Sequence, residues 1–336
     1  MVKITDVAKA AGVSPSTVSH VLNGKRPISQ KTRERVLKAI KELNYIPNAY
    51  AQAMKSDRTG IIGFIATEIT DQFSNMIIQG VESVFVPSGD HLLFVSGSEF
   101  SEDLGKTLKF LGSRRLDGAI ISQSITESKR KLNFKLPDIP LISVNFDFGS
   151  DIPSVVLNNY KSGWDAAFHL AQRGCHRVGA IGGPEDRVAS NDRLVGFRNA
   201  AEECGLVMEQ KEPIYVSFGF EGGVQGMESL LQQKLSLDGI FCANDYIASG
   251  AMYRASEEGI LIPDELKVIG FDNRDFSSFT SQDITTFDQP LYDMGRIAAR
   301  HLMEKIRDGR DIPLQTILSS RLIARGSTQS EQHSHV

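Results

Sequence analysis

The stretch VSPSTVSHVLNGK, Val13 to Lys25, decides how this chain is read. Its centre is small and hydroxylated, yet Val18, Val21 and Leu22 recur at helical spacing. Ser14 is a favourable N-cap, Pro15 suits the first helical position, and Asn23-Gly24 supplies a stop. At about 100° per residue the apolar stripe centres near Val18, and Ser16 and His20 fall on the opposite side. The expectation is a short helix that buries aliphatic side chains and presents hydroxyls and one imidazole outward.

The neighbouring segments give that helix a context. Thr5 is the expected cap of a first helix with Val7, Ala8 and Ala11 on its apolar side, ended by Gly12. Ser29 is the expected cap of a third, with Val36, Leu37, Ile40 and Leu43 on one side and Lys31, Arg33, Arg35, Lys38 and Lys41 among its polar positions. Three short helices with a glycine turn between the first two make a helix-turn-helix, whose second helix lies in the DNA major groove. There His20 can reach a guanine and Ser16 a base or a phosphate. A plainer reading stays open at this point, in which both are exposed polar residues on a packed helix. After Pro47, Asn48 can cap a short helix from Ala49 to Lys55. It is too short to be stable alone. If two copies pack over the minor groove, small Ala49, Ala51 and Ala53 allow close approach and Met54 can wedge between base steps; the alternative is a plain linker.

Charge separates the same segment from the rest. Residues 1 to 58 hold eleven Lys and Arg against four Asp and Glu, a net +7, so the remainder carries −11 against a whole-chain charge of −4. A short basic head on an acidic body reads as a head for a polyanion and a body for something else, unless the charges are only solvated helix faces.

The run ITDVAKAAGVSPSTVSHVLNGKRPISQKTRERVLKAIKELNYIPNAYAQAM resembles the lactose/galactose-repressor family of bacterial transcription factors, and the resemblance extends through nearly the whole chain. It is carried by the D-V-A-x-x-A-G-V-S core, the T-V-S-x-V-L-N helix, T-R-x-x-V in the third helix and Y-x-P-N after it. The resemblance implies base reading by Pro15, Ser16 and His20 and a minor-groove lever at Met54, where relatives usually carry Leu. It implies a DNA-contacting set of Thr5, Ser14, Pro15, Ser16, Thr17, Ser19, His20, Asn23, Lys25, Arg26, Asn48, Ala51, Met54 and Lys55.

From Thr59 the texture changes to apolar runs separated by helical segments: GIIGFIAT, HLLFVSGS, DGAIISQS, PLISVNF, RVGAIGG, EPIYVSF, DGIFCAND, LKVIGFDN and ITTFDQP. Strands of this kind alternating with helices imply parallel sheets covered on both faces. The expected fold is therefore a small all-α helix-turn-helix head and an α/β body of two doubly wound parallel-sheet lobes, which resemble periplasmic sugar-binding proteins. The expected divisions are a head over 1–46, a hinge helix and linker over 47–59, a two-lobed body over 60–328 and a tail over 329–336. In such a body the first lobe takes about 60–160 and 290–320, and the second about 161–289 and 321–328.

Ligands in such sheets bind outside the carboxyl ends of strands, here between the lobes. Asp272 ends a strand and can accept two ligand hydrogens, Arg193 can fork onto a polar group, and the two together would make a charge-assisted clamp. Asn244 and Asp245 end a strand and begin a helix; for Asp245 a capping role is favoured over ligand contact. The resemblance implies effector contact at Asn244, Arg193 and Asp272, and also at Phe73, Asn145, Phe146, Arg187 and Phe218. Lone Trp164 reads as packing or interface. Aromatic faces with Asp, Asn and Arg favour a sugar over a purine. Arg187 matches a position that a purine-responsive relative uses, but Ala189 stands where that relative has a hydroxyl, and Asn145 replaces the Asp of several sugar-responsive members.

Other classes are harder to support. No G-x-S-x-G, P-loop or strand-linked G-x-G-x-x-G appears, and the seven histidines show no metal-ligand pairing, so neither an enzyme nor a cofactor is expected. Cys175, Cys204 and Cys242 are scattered and odd in number, which fits reduced thiols; Cys175 takes a place where relatives usually have His. The amino terminus lacks a secretory pattern and no apolar run approaches the ~18 residues of a membrane span, so a cytosolic, nucleoid-associated protein without a membrane partner is expected. The expected function is a transcriptional regulator, a repressor, that binds palindromic operator DNA as a homodimer and answers a small-molecule effector. The chain ends without a leucine heptad, which favours dimer over tetramer. The rival reading is a cytosolic sugar-binding or enzyme-like α/β protein whose basic head does not read DNA.

Overall fold

The computed structural model describes residues 2–23, 27–45, 58–66, 72–96, 104–122, 136–149, 152–279 and 282–329. The chain divides into two compact units, Met1–Gly60 and Ile61–Val336. Lys25, Arg26, Asn48, Ala51, Met54 and Lys55, the expected hinge helix from Ala49 to Lys55 and most of the expected tail lie outside the described residues.

In the first unit, α1 (Ile4–Ala11), α2 (Pro15–Asn23) and α3 (Gln30–Glu42) close around Val7, Ala8, Ala11, Val18, Val21, Val36 and Ala39. Gly12 takes the left-handed conformation (φ 62°) that ends α1, and the Val13 N–H bonds Ala8 O at 3.0 Å. Two expectations are corrected. Thr5 does not cap α1: it lies inside the helix, Lys3 precedes it, and the Asp6 carboxylate accepts the Lys3 N–H at 2.8 Å. Leu37 does not join the buried stripe of α3; it is 48% exposed, because Val36 and Ala39 set the inward direction and Leu37 lies about 100° away from Val36. Ser29 does cap α3, accepting from Thr32 N at 3.4 Å.

The second unit holds two lobes. The first is a six-stranded, all-parallel sheet in the order β12-β5-β4-β3-β1-β2, formed by β1 (Ile61–Ala66), β2 (His91–Ser96), β3 (Gly118–Ser122), β4 (Leu141–Val144), β5 (Ser154–Leu157) and β12 (Gln315–Leu318). Its helices are α4 (Gln72–Phe85), α5 (Leu104–Ser113) and, from late in the chain, α10 (Leu291–Asp308). Leu291, Met294, Ala298, Ala299 and Leu302 of α10 pack with Ile62, Phe64 and Ile77 in one buried cluster.

The second lobe centres on β6 (Arg177–Gly182), flanked by β9 (Gly239–Cys242) and β10 (Lys267–Ile269) on one side and by β7 (Val207–Met208) and β8 (Ile214–Tyr215) on the other. Its helices are α6 (Asn159–Gln172), α7 (Val188–Glu203), α8 (Phe220–Gln232) and α9 (Asp245–Glu257). One strand departs from the parallel expectation: β11 (Thr286–Asp288) pairs antiparallel with β13 (Arg321–Ile323). The chain thus crosses between lobes at 157–159, 288–291 and 318–321, and the first and third crossings are tied by Asn158 N to Leu318 O at 2.8 Å.

Helix pairs in both lobes approach through reciprocal glycines. A Cβ on Gly163 of α6 would lie 1.8 Å from Arg193 O of α7, and one on Gly196 of α7 would lie 2.0 Å from Tyr160 O of α6. Gly80 of α4 and Gly295 of α10 face each other's backbone in the same way, at 2.0 Å and 2.1 Å. The pairs therefore lock backbone to backbone, which leaves their remaining faces for the sheets and the space between lobes.

Candidate functional site

In the first unit the second helix starts as the sequence requires. Ser14 Oγ accepts from Thr17 N at 3.2 Å, and the same hydroxyl meets Ser16 Oγ at 2.7 Å and Thr17 Oγ1 at 2.9 Å. Val18 is fully buried and Val21 nearly so, whereas Ser14, Pro15 and Ser16 are exposed and Thr17, Ser19 and His20 half-buried. Asn23 closes α2. Thr5, Lys31, Arg33, Arg35, Lys38 and Lys41 are exposed on the flanking helices. The outcome is one face of hydroxyls and an imidazole at the start and middle of a recognition-type helix, with basic side chains nearby in sequence for phosphates.

In the second unit a cleft of about 710 Å³ opens between the lobes, and all eight side chains expected at an effector site line it: Phe73, Asn145, Phe146, Arg187, Arg193, Phe218, Asn244 and Asp272. Strand and helix ends bring them there. Asn145 and Phe146 follow β4, Asp272 follows β10, Asn244 precedes α9, Arg187 precedes α7, and Phe73 opens α4. Asn145 (φ 68°) and Asp272 (φ 101°) both hold left-handed backbone, which costs a non-glycine residue about 1–3 kcal/mol and aims their side chains out of the sheet edge. Phe218 lies against Gly183, where a Cβ would come within 2.3 Å of its ring.

The charged groups are arranged differently from the expected clamp. Arg193 donates from Nε to Ala189 O at 3.1 Å and from Nη1 to Ala243 O at 2.7 Å, and its guanidinium stacks 3.9 Å from the Phe271 ring centroid. Burial lowers its pKa to about 10, against the opposing pull of Asp272 and Asp192. Asp272 Oδ1 accepts from Gln289 Nε2 at 2.7 Å, and its Oδ2 lies 3.8 Å from Arg274 Nε. The capping expectation for Asp245 is corrected. Asn244 caps α9 by accepting from Ile247 N at 2.8 Å, while Asp245 is fully buried and accepts from Thr286 Oγ1 at 2.6 Å and Arg274 N at 2.8 Å. Burial raises the Asp245 carboxyl to about 7.

Sequence reasoning missed Tyr246, Arg274 and Gln289, which also line the cleft. Gln289 had a readable signal, since it ends the apolar run ITTFDQ; Arg274 had one in its place two residues beyond Asp272. Away from the cleft, Trp164 packs on the second-lobe core and stacks on Phe168 at 5.2 Å. The Cys175 thiol is buried, which raises its pKa to about 12. Among the described residues no group of His, Cys, Asp and Glu could hold a metal ion, and no helix is long and apolar enough to cross a membrane.

Comparison with known proteins supplies the rest. Residues 3–48 match the description "Bacterial regulatory proteins, lacI family", and residues 167–328 match "Periplasmic binding protein-like domain". The chain is 33% identical over 312 residues to the HTH-type transcriptional repressor PurR of Vibrio atlanticus (strain LGP32), covering 92% of this chain and 93% of that one. It is 32% identical to the ribose operon repressor of Halalkalibacterium halodurans, across 99% of both chains. The solved lac repressor dimer bound to operator and the anti-inducer ONPF superposes with a TM-score of 0.85 at 23% identity, covering 97% of this chain and 99% of that one.

Proposed function

From the premise that the chain belongs to the lacI family of bacterial regulatory proteins and is a DNA-binding transcriptional repressor, not an enzyme, we propose that it reads a two-fold-symmetric operator as a homodimer under the control of a sugar or sugar derivative bound between its lobes. The observation that carries this reading is the convergence of two aromatic rings and hydrogen-bonding side chains on one cleft, with Phe73 and Phe218 set to stack on a ring's C–H face and Asn145, Asn244 and Asp272 to pair with hydroxyls. The ribose operon repressor's name points to a sugar-linked role for that relative.

In the DNA complex Pro15, Ser16 and His20 of α2 meet base edges, and Ser14, Thr17, Ser19 and the basic residues of α3 contact phosphates. The expected hinge contacts at Asn48, Ala51, Met54 and Lys55 would add minor-groove wedging. Pairing of two chains is supported by apolar surface on the body. The sheet edge at β2 exposes Leu93 and Phe94; in the second lobe Phe220 packs on Tyr253 with both rings partly exposed, and Phe279 is 82% exposed. The effector acts through its different affinity for the two lobe arrangements.

A purine is the second reading, favoured by Arg187 and aromatic rings lining the same cleft. The deciding experiment measures operator affinity by fluorescence anisotropy with ribose, glucose, cellobiose, guanine and hypoxanthine, each also tested as its phosphate where one exists. A sugar that changes operator affinity supports the first reading, a base alone supports the second, and operator binding indifferent to every compound defeats both.

A further inference from the structure

Resting on the effector reading above, we infer that the ligand of the cleft carries an anionic group, a phosphate or a carboxylate, that Arg274 receives. The three cleft arginines are not equivalent. Arg193 is committed to the Ala189 and Ala243 carbonyls and to the Phe271 ring. Arg187 Nε is buried without a hydrogen bond, but it lies 3.7 Å from the Asp186 carboxylate, its side chain is 33% exposed and the residue makes a further contact. Arg274 is only 17% exposed at its side chain, and its Nε is buried without a hydrogen-bond partner. Asp272 Oδ2 stands 3.8 Å from it, beyond hydrogen-bond length, while the other oxygen of Asp272 accepts from Gln289 at 2.7 Å.

The main chain of Arg274, by contrast, is fixed at both ends. Its N–H donates to Asp245 Oδ2 at 2.8 Å, and its carbonyl accepts from Ser277 N at 2.8 Å and Ser277 Oγ at 2.6 Å. A guanidinium on an anchored backbone, at the wall of a ligand-sized cleft and short of acceptors, is preorganised for an incoming oxyanion. Burying a cation with one donor, Nε, unmatched is unfavourable, and a bidentate phosphate or carboxylate removes that penalty on binding. Tyr246, whose ring centroid lies 5.9 Å from the Arg274 guanidinium, also lines the cleft.

The test is calorimetric titration of the full chain with ribose and ribose 5-phosphate, glucose, glucose 6-phosphate and glucuronate, and guanosine and its monophosphate, with inorganic phosphate as the minimal probe. The expected result is that one acidic member binds about tenfold or more tighter than its neutral parent. Arg274→Gln should erase that preference and Arg274→Lys should retain part of it, with thermal unfolding confirming that both variants fold. Phosphates alone or glucuronate alone would identify the oxyanion. Binding led by a neutral compound with unchanged affinity in Arg274→Gln overturns this inference while leaving the effector reading intact. An acidic preference that survives Arg274→Gln overturns it as well, and the absence of binding by every probe defeats both.

Discussion

The Arg193 guanidinium lies 3.9 Å from the centroid of the Phe271 ring, with its Nη1 on the Ala243 carbonyl, so a residue that faces the cleft also fastens α7 to the ends of two strands. Arg193→Ala should therefore do more than abolish ligand response. The buried Ala243 carbonyl loses its guanidinium donor and the Phe271 ring its cation, and urea unfolding of the variant should show a loss of about 2–4 kcal/mol. Unchanged stability would make Arg193 a ligand group alone.

Asp272 is the cleaner probe of the cleft. Its carboxylate engages Gln289 and faces Arg274. Asp272→Asn should keep the body folded, as judged by thermal unfolding, yet remove the effect of any cleft ligand on operator binding. A response equal to that of the unaltered protein would place recognition elsewhere.

His20 sits half-buried on α2, outside the buried cluster of the head. His20→Ala should weaken operator binding by about 1–3 kcal/mol and leave binding to random DNA nearly unchanged. Competition titrations with both DNAs distinguish this from a phosphate contact, which would weaken both equally.

Asp245 links pH to the stability of the body. Burial raises its carboxyl to about 7 in the folded protein, so the folded state holds a proton that the unfolded chain releases near pH 4. This group's contribution is most favourable below about pH 4 and declines as pH rises to about 7. Calorimetric unfolding of Asp245→Asn should lack that decline, and an identical pH profile in both proteins would show that Asp245 stays ionised.

Gly163 is a helical glycine whose replacement by alanine would ordinarily gain about 1 kcal/mol. Here the new Cβ would meet Arg193 O at 1.8 Å, and separating α6 from α7 should cost at least ~2 kcal/mol, so the net sign is destabilising. A higher melting temperature for Gly163→Ala would show that the helices can part without penalty.

How much of this was readable in advance depends on where each element takes its information. Strands β1, β3, β4 and β9 are buried on both faces and appear as continuous apolar runs. Strands β12 and β13 are short and half-exposed, and nothing in QTIL or RLI stands out from its surroundings. In the head the stripe through Val18 and Val21 was legible, but neighbouring Leu37 was not separable from Val36 without knowing how α3 turns toward α1. In the cleft Asp272 and Asn244 follow strand ends that the pattern marks, whereas Arg274 depends on a backbone course set by Asp245 and Ser277. The glycine pairs needed both partners in place, since Gly163 and Gly196 lie in separate helices and only their opposition shows what each is for.

The threefold passage of the chain between lobes carries a consequence for synthesis. Strand β5 leaves the ribosome near residue 157, but the strand that covers its open side, β12, is not made until residue 318, and α10 arrives only after residue 291. At the usual pace of translation the first lobe waits about 8–30 s with an unprotected sheet margin and an uncovered apolar layer. Nascent chains halted between residues 160 and 290 should consequently be the ones most dependent on chaperones.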